Sequence, residues 1–354
     1  MARTQINKAT EHHLGLLKAK IAKLKKEQET DQVKKSSKKS DGFDVKRTGD
    51  ATVVFIGLPS VGKSTLLNKL TGSKSAIGAF QFTTLTVVPG VLEHRGAKIQ
   101  MLDLPGIIKG ASSGKGLGRR ILSVARSADI VLLILDVFQP YHEDVLIKEL
   151  GNIGIRLNQN PPNIVIEKST TGGIAVAQQV KLKKMSEKLL KEILNVHGYT
   201  SARVVIREDI DSEQLIDFVT GNKTYAKAIT ILNKIDLVDE KFLKKARKKI
   251  KSDVITVSAD SDINIDKLRD RIYDELQFIR IYMRPKGGET DFKEPLIIRE
   301  DSSVLDVCNK LHRKMKKDFR FGLVWGKSVK FGGQRVGLSH VLQDEDVLTI
   351  IKRK

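Results

Sequence analysis

The apolar residues of this chain are grouped into short continuous runs that alternate with polar segments, several of which contain glycine. Runs of this length that are rich in β-branched residues are typical of strands buried on both faces of a sheet. The runs that we interpret as strands of one sheet are Thr52–Ile56, Val87–Glu93, Lys98–Leu102, Ile130–Leu135, Ala228–Leu232 and Val254–Val257. Because helix-like segments such as Ser64–Leu70 come between them, the pattern predicts an α/β fold with a mostly parallel, doubly wound sheet and helices on both faces.

The chain between Asp136 and Ile229 is too long for one strand–helix–strand crossover and has secondary-structure signals of its own. Strand-like runs and one helix-like run occur there, namely Ile164–Ile166, Ala202–Ile206 and Val180–Val196. We therefore predict a small inserted α/β subdomain within a larger main domain. The predicted bounds are residues 49–150 and 226–282 for the main domain and residues 151–225 for the insertion.

A further domain is predicted over residues 283–354. Its strand-like runs are Pro295–Ile298, Leu323–Val324 and Val347–Ile351, and its helix-like run is Val304–Met315. Several strands around one helix fit a small β-grasp-like domain.

Residues 1–48 form a separate N-terminal segment that we expect to be helical. One apolar stripe at helical spacing is surrounded by lysines; the stripe is Leu14, Leu17, Ile21 and Leu24, and the lysines are Lys18, Lys20, Lys23, Lys25 and Lys26. Residues 30–41 are polar and charged, which predicts a turn or linker. The stripe fits two arrangements, a helix docked on the rest of the protein or a basic helix that lies on RNA or a partner.

The charge of the chain changes this picture more than its composition does. Over 354 residues, 40 % hydrophobic and 30 % charged residues are an ordinary globular mixture, but the formal net charge is +21. Lys and Arg occur in every region, so the whole protein attracts polyanions, and RNA or a ribonucleoprotein is the expected partner. The alternative is a basic surface that serves solubility alone.

The remaining composition predicts a soluble cytoplasmic protein. Cys308 is the single cysteine, so a disulfide framework or zinc site cannot form within the chain, and it has the pattern of a small core residue. The N-terminus is polar and basic without an apolar segment, and no stretch of about 18 apolar residues exists, so we expect neither a secretory signal nor a membrane span.

The segment after the first strand fits the pattern G-x-x-x-x-G-K-[ST]. Glycines let such a loop wrap around phosphates with its backbone N–H groups pointing inward, and the following helix adds its N-terminal dipole. Lys63 is expected to reach the β- and γ-phosphates, and Ser64 to ligate Mg²⁺. The nucleotide-binding residues predicted here are Gly57, Leu58, Pro59, Ser60, Val61, Gly62, Lys63, Ser64 and Thr65.

A second motif, Asp103-Leu104-Pro105-Gly106, directly follows the strand Lys98–Leu102. A carboxylate at this strand end can hold Mg²⁺ opposite Ser64, and the Gly106 amide can contact the γ-phosphate. Between the two motifs lie Thr83 and Thr84, and we favour Thr84 as the residue that closes on Mg²⁺ when the γ-phosphate is present. The predicted metal ligands are Ser64, Thr84 and Asp103, and the predicted catalytic residues are Lys63, Thr84 and Gly106.

A third motif, Asn233-Lys234-Ile235-Asp236, predicts which base is bound. A carboxylate accepts hydrogen bonds from guanine N1–H and the 2-amino group, and adenine offers no such pair of donors, so Asp236 is expected to select guanine. Asn233 is expected to brace the loop and the stem of Lys234 to lie on the base. A backbone N–H of Ser258-Ala259, after the next strand, is expected to contact guanine O6.

These motifs and their surroundings closely resemble the DRG family, the developmentally regulated GTP-binding proteins within the Obg-like GTPases. The resemblance covers nearly the whole chain, and the strings that carry it are NKATEHHLGLLKAKIAKL, GLPSVGKSTLLNKL, FTTLTVVPGV, AKIQMLDLPGIIKGA, GIRLNQNPPNI, ILNKIDLV, RIYMRPKG and LVWGKSVKF. It implies a P-loop GTPase domain with an N-terminal helical hairpin, an inserted small α/β subdomain and a C-terminal TGS domain of β-grasp type. It also implies a role at the ribosome in translation, with a cytoplasmic DFRP-type zinc-finger protein as partner, and a monomer or a heterodimer with that partner.

The chain departs from related GTPases at three positions. Many GTPases place a Gln after D-x-x-G to orient the attacking water, whereas this chain has Ile107, so slow intrinsic GTP hydrolysis is expected. Some relatives use a P-loop Asn to hold K⁺ in place of an arginine finger, and this chain has Ser60 there. Lys109 replaces a Glu that relatives often carry.

Three functions are compatible with these features. The first is a GTP-hydrolysing switch that acts on translating ribosomes through basic, RNA-contacting domains. The second is a non-catalytic scaffold that binds ribosomes or RNA in a GTP-dependent way, which the missing Gln favours. The third is an Obg-type ribosome-assembly GTPase. The intact set of Lys63, Ser64, Thr84 and Asp103 favours real turnover.

Overall fold

The structure is a computed structural model that describes residues 49–72, 88–104, 124–221, 223–312 and 315–353. The described residues form two compact units, one within residues 160–223 and a larger one that combines the described residues before 160 with those from 224 onward. The predicted N-terminal segment 1–48 lies outside the described residues, as do Thr83, Thr84 and Gly106. Within the described ranges, no helix has the length and apolar composition required to cross a membrane.

The elements are numbered in chain order. Up to the insertion they are β1 (Ala51–Gly57), α1 (Lys63–Thr71), β2 (Val88–His94), β3 (Ala97–Asp103), β4 (Ile130–Asp136), α2 (His142–Ile153) and β5 (Ile155–Leu157). The smaller unit contains β6 (Ile164–Lys168), β7 (Ile174–Gln178), α3 (Glu187–Val196), β8 (Ala202–Ile206) and α4 (Ser212–Thr220). Next come β9 (Thr224–Asn233), a 3₁₀ turn (Ile235–Leu237), α5 (Glu240–Arg247), β10 (Val254–Thr256) and α6 (Ile265–Glu275). The C-terminal elements are β11 (Phe278–Met283), β12 (Leu296–Arg299), α7 (Val304–Leu311), α8 (Met315–Asp318), β13 (Phe319–Trp325), β14 (Gln334–Val336) and β15 (Val347–Lys352).

The main sheet has the mostly parallel arrangement that the sequence predicts. Its strand order over the described residues is β10-β9-β4-β1-β3-β2, and β5 pairs with the start of β9. All neighbouring strands are parallel except β2, which is antiparallel to β3. Because the strands are parallel, the carboxyl ends of β1, β3, β4, β9 and β10 lie at one edge of the sheet.

Both faces of this sheet are buried. Along β1, Val53 and Phe55 belong to one apolar core and Val54 and Ile56 to the other, each at most 1 % exposed. Helices α1 and α6 contribute to the first core and α2 contributes to the second. Full burial of one such side chain stabilises the fold by about 1.5–3 kcal/mol, so this strand is a rigid base for the loop that follows it.

The inserted unit is a three-stranded sheet of order β6-β8-β7 that packs with α3 and α4 around its own core. It is shorter than the predicted span 151–225, because β5 belongs to the main sheet through its pairing with β9. The helix predicted over Val180–Val196 begins only at Glu187, since the Ser186 hydroxyl caps it by accepting a hydrogen bond from the Leu189 N–H at 3.2 Å.

The C-terminal part is a five-stranded sheet of order β12-β11-β15-β13-β14, with α7 packed on one face, as expected for a β-grasp fold. Its first strand, β11, starts at Phe278, before the predicted boundary, and the predicted helix Val304–Met315 ends at Leu311. Ion pairs join it to the main sheet, Arg299 to Asp129 and Lys310 to Asp50, the latter at 2.7 Å. Both carboxylates precede strands, so this domain contacts the edge of the main sheet opposite the carboxyl ends.

Candidate functional site

The loop after β1 has an unusual backbone conformation. Ser60 and Gly62 both have positive φ, 63° and 89°. A Cβ on Gly62 would lie 2.4 Å from the Asn233 side-chain nitrogen, so this position requires glycine for both conformation and space. Helix α1 starts at Lys63, and the Leu66 N–H donates to the Gly62 carbonyl at 2.9 Å. The loop therefore curls over the N-terminus of a helix, an arrangement that binds anions.

Lys63 is folded into this loop. Its ammonium donates to the carbonyls of Gly57 at 3.2 Å and Leu58 at 2.9 Å, and the residue is only 8 % exposed. Burial lowers the pKa of the Lys63 ammonium, and the nearby Asp103 carboxylate opposes part of that shift. An ammonium held at the mouth of an anion-binding loop can neutralise a bound phosphate.

Ser64 and Asp103, the two predicted metal ligands that the structure describes, lie side by side. The Ser64 hydroxyl donates to Asp103 Oδ2 at 2.7 Å, which joins the start of α1 to the end of β3. The second oxygen, Asp103 Oδ1, is buried and accepts no hydrogen bond from the described residues. An orphaned buried carboxylate oxygen beside a hydroxyl fits a hard cation such as Mg²⁺ or the water bound to it.

Asn233, at the end of β9, links two loops. Its Nδ2 donates to the Val61 carbonyl at 2.9 Å, and its Oδ1 accepts the Ala259 N–H at 3.1 Å. Asn233 is 2 % exposed, so these bonds are shielded from water. The loop after β1 and the loop after β10 are therefore fixed to one carboxamide.

Lys234 links the loop after β1 to the end of β4, which none of the sequence motifs includes. Its ammonium donates to the Ser60 carbonyl at 2.8 Å and forms an ion pair with Asp136 at 2.7 Å. Asp136 ends β4 and is paired in register with Asn233 of β9. Sequence reasoning used Asp136 only to mark the end of a strand, although a carboxylate directly after a buried strand is the same signal that identified Asp103.

The residues predicted to recognise the guanine base differ in their exposure and in their hydrogen bonds. Asp236 lies in the 3₁₀ turn and is exposed, with its carboxylate bonded to none of the described residues. Ser258 and Ala259 are buried, and their N–H groups are already donated, to the Ile263 carbonyl and to Asn233 Oδ1, each at 3.1 Å. An Ala259 contact to guanine O6 therefore requires its N–H to be shared with Asn233.

The structure brings together most of the predicted site residues at one edge. The described members run from Gly57 to Thr65 and include Asp103, Asn233 to Asp236 and Ser258-Ala259, all at the carboxyl ends of strands or just beyond. The predicted residues Thr84 and Gly106 are outside the described ranges. No cluster of three or more His, Cys, Asp or Glu that could hold a metal ion occurs among the described residues.

Comparison with protein families accounts for almost the whole described chain. A family described as 50S ribosome-binding GTPase matches residues 52–168, and the C-terminal region of the same domain family matches residues 171–278. The TGS domain family matches residues 279–352, which contain the five-stranded C-terminal sheet. The β-grasp domain predicted from the sequence is thus a TGS domain.

Relatives with similar sequences extend over the full length. An uncharacterized GTP-binding protein of Methanocaldococcus jannaschii is 51 % identical and is matched over 100 % of this chain and 90 % of its own length. The developmentally-regulated GTP-binding protein 2 homolog of Dictyostelium discoideum is 45 % identical over 100 % of this chain and 96 % of its own. Ribosome-interacting GTPase 1 of Saccharomyces cerevisiae is 46 % identical with the same coverage.

The geometry and these matches agree with each other. A glycine-containing loop over a helix N-terminus, a Ser–Asp pair suited to a cation and an Asn-Lys-x-Asp turn are the parts a guanine nucleotide site requires. The sequence identities and the coverage show the family directly, and they confirm the resemblance that the sequence suggests. The chain belongs to the developmentally regulated GTP-binding proteins, GTPases in which a P-loop G domain is followed by a C-terminal TGS domain.

Proposed function

We propose that this GTPase is a molecular switch that acts on ribosomes, with GTP bound at the carboxyl edge of the main sheet. One observation carries the proposal: Asn233 and Lys234 fasten the end of β9 to the loop that surrounds Lys63, and Lys234 also joins this loop to Asp136 at the end of β4. Such bracing keeps the phosphate loop and the guanine loop at a fixed separation, which a ligand with a base at one end and phosphates at the other needs.

The individual roles follow from the chemistry of each residue. The backbone N–H groups of the loop from Gly57 to Thr65, to which Pro59 contributes none, surround the phosphates. Lys63 neutralises the phosphates, and Asp236 accepts hydrogen bonds from guanine. Ser64, Thr84 and, through water, Asp103 would hold Mg²⁺, which would supply charge neutralisation to the phosphates. The orphaned Asp103 Oδ1 supports this assignment.

Cleavage of GTP by the isolated protein is slow in this proposal. Lys63, Thr84 and the Gly106 amide stabilise the transferring phosphoryl group, but Ile107 stands where a water-orienting Gln would be. A partner or a second cation then completes the site. K⁺ would be the candidate cation, and Ser60 stands where some relatives place an Asn that holds it.

Association with ribosomes is supported by charge and by relatives. The net charge is +21, and one relative is named a ribosome-interacting GTPase. Further partners in the proposal are RNA and a DFRP-type zinc-finger protein, with the chain as a cytoplasmic monomer or a heterodimer with that protein.

The TGS sheet offers a surface on which RNA would bind. On the face opposite α7, Arg284 lies over the ring of Trp325 at 5.0 Å and Arg335 over the ring of Phe321 at 4.0 Å. Nearby Phe331 is 66 % exposed. Aromatic rings stack on unpaired bases while arginines attract phosphates, so we assign this face to single-stranded RNA.

That surface has its own test. The double substitution Arg284→Ala and Trp325→Ala should weaken binding of a single-stranded RNA oligonucleotide at least tenfold, since stacking on one aromatic ring contributes about 1–3 kcal/mol. Exposed Arg203→Ala in the inserted unit, which removes the same charge, should have a much smaller effect. Equal loss for both variants would mean that only net charge matters.

The experiment that tests the whole proposal is GTP turnover in K⁺ and in Na⁺ buffer, with and without ribosomes. Ser64→Asn removes the Mg²⁺ ligand and should abolish turnover, while the exposed control Ser339→Asn should not. Absence of Ser64-dependent turnover under every condition would favour the non-catalytic scaffold. Sedimentation with assembly precursors instead of translating ribosomes would favour an Obg-type assembly GTPase.

A further inference from the structure

The carboxylate of Asp136 occupies a strand end that the nucleotide motifs leave unassigned. It closes β4, between β1, which carries the phosphate loop, and β9, which carries the guanine loop. Its side chain is 15 % exposed, so its interactions are partly shielded from water. A residue in this place can influence both loops.

The two oxygens of Asp136 have separate partners. Oδ1 accepts the N–H of Phe138 at 2.9 Å, which fixes the carboxylate in the turn that follows β4. Oδ2 accepts the ammonium of Lys234 at 2.7 Å, and the same ammonium reaches the Ser60 carbonyl at 2.8 Å. One ammonium therefore joins three loops, and a carboxylate with a fixed orientation holds it there.

The backbone of Lys234 is in an uncommon conformation. Its φ is 67°, in the left-handed region that residues with a Cβ seldom adopt. The long lysine stem has many rotamers, and its ordering costs entropy unless the ammonium is anchored. The Lys234 side chain is 27 % exposed, so its attraction to Asp136 is screened less than that of a fully exposed pair.

We propose that Asp136 is a positioning residue for the guanine nucleotide. By holding the Lys234 ammonium on the Ser60 carbonyl, it keeps the lysine stem extended beside the base and sets the place of Asp236. This inference rests on the proposed nucleotide site. The role requires the negative charge, because an amide of the same shape would keep the Phe138 bond and lose the anionic acceptor for Lys234.

The experiment measures the release of fluorescent mant-GDP from four full-length proteins in Mg²⁺: wild type, Asp136→Asn, Lys234→Met and the double variant. Asp136→Asn should release the nucleotide about tenfold faster, the size expected when a coupled charged pair is broken. In the Lys234→Met background the same change should add little, because the ammonium is already gone.

The matched control is Asp144→Asn, which breaks an exposed Lys251 ion pair at 2.9 Å and should leave release unchanged. If Asp136→Asn accelerates release equally in the wild type and in the Lys234→Met protein, or in neither, the inference is overturned. A large fall in the melting temperature of the nucleotide-free Asp136→Asn protein would also overturn it, by assigning a structural role. Failure of the wild type to bind mant-GDP would instead contradict the nucleotide site itself.

Discussion

Replacement of Asn233 by alanine tests whether one carboxamide holds two loops of the site. The side chain satisfies the Val61 carbonyl at 2.9 Å and the Ala259 N–H at 3.1 Å. Both residues are buried, 4 % and 2 % exposed, so the groups left behind have little access to water. The change should therefore weaken the nucleotide-free fold as well as nucleotide binding.

The magnitude follows from the cost of unsatisfied groups. A buried donor or acceptor that loses its partner costs about 1–3 kcal/mol. For the two groups here, allowing for water that enters the vacated space, the free energy of unfolding should fall by about 2–4 kcal/mol. Asn233→Asp should lose at least as much at neutral pH, since an anionic oxygen would then face the Val61 carbonyl.

Urea denaturation followed by circular dichroism, without nucleotide, measures this difference. The control is Asn309→Ala on the exposed surface of α7, which should change stability by less than about 0.5 kcal/mol. A loss below about 1 kcal/mol for Asn233→Ala would refute the reasoning, because it would be less than the cost of leaving even one buried group unsatisfied. Unchanged stability for Asn233→Asp would show that the Val61 contact carries no weight.

Two other predictions follow from particular contacts. Gly62→Ala should lower GDP affinity at least tenfold, because the new Cβ would lie 2.4 Å from the Asn233 amide and because a φ of 89° disfavours alanine. The control is Gly337→Ala, where the new Cβ would meet open space, and it should bind GDP normally in the same titration. Asp344→Asn should reduce the acid sensitivity of folding: although burial raises the pKa of Asp344, its hydrogen bonds with Arg280 outweigh that and lower it overall. A lowered folded-state pKa gives stability that is present at neutral pH and lost as pH falls through that pKa, so urea midpoints at pH 7 and pH 3 should differ more for the wild type than for the variant. If the urea midpoints of the two proteins change equally between pH 7 and pH 3, the Arg280–Asp344 pair does not contribute to the acid sensitivity of folding.

Much of the site could be predicted because its residues are tied to strand ends. Asp103 and Asn233 directly follow or end buried apolar runs, and parallel strands bring such ends to one edge without any knowledge of the pairing order. The loop from Gly57 to Ser64 is a local motif whose glycines report its backbone shape. Sequence therefore located the edge and most of the chemical groups on it.

Contacts between distant parts of the chain could not be predicted. Asp136 and Lys234 are 98 positions apart and Asn233 and Val61 are 172 apart, and no periodicity in the sequence joins such pairs. The same limit applies to the Ala259 N–H, which was expected to be available to guanine and is donated to Asn233. Tertiary pairing decides which groups remain free.

Some predicted helix and strand boundaries were wrong for a different reason. The apolar pattern of Val180–Val196 continues smoothly toward the N-terminal side, yet helix α3 starts at Glu187 because Ser186 supplies the cap. Strand β7 was missed since its alternating alanines give a weak strand signal, and its parallel pairing with β8 stabilises it instead. Hydrogen bonds that form only after folding set these limits.

Equilibrium binding of GDP, ADP and XDP in Mg²⁺, for the wild type and for Asp236→Asn, tests the central claim that these loops hold a guanine nucleotide. The wild type should bind GDP far more tightly than the others. Asp236→Asn should shift the preference toward XDP, because xanthine has a carbonyl in place of the 2-amino group and the new amide can donate to it. Equal affinity of the wild type for GDP and ADP, or an unchanged preference in the variant, would contradict the account.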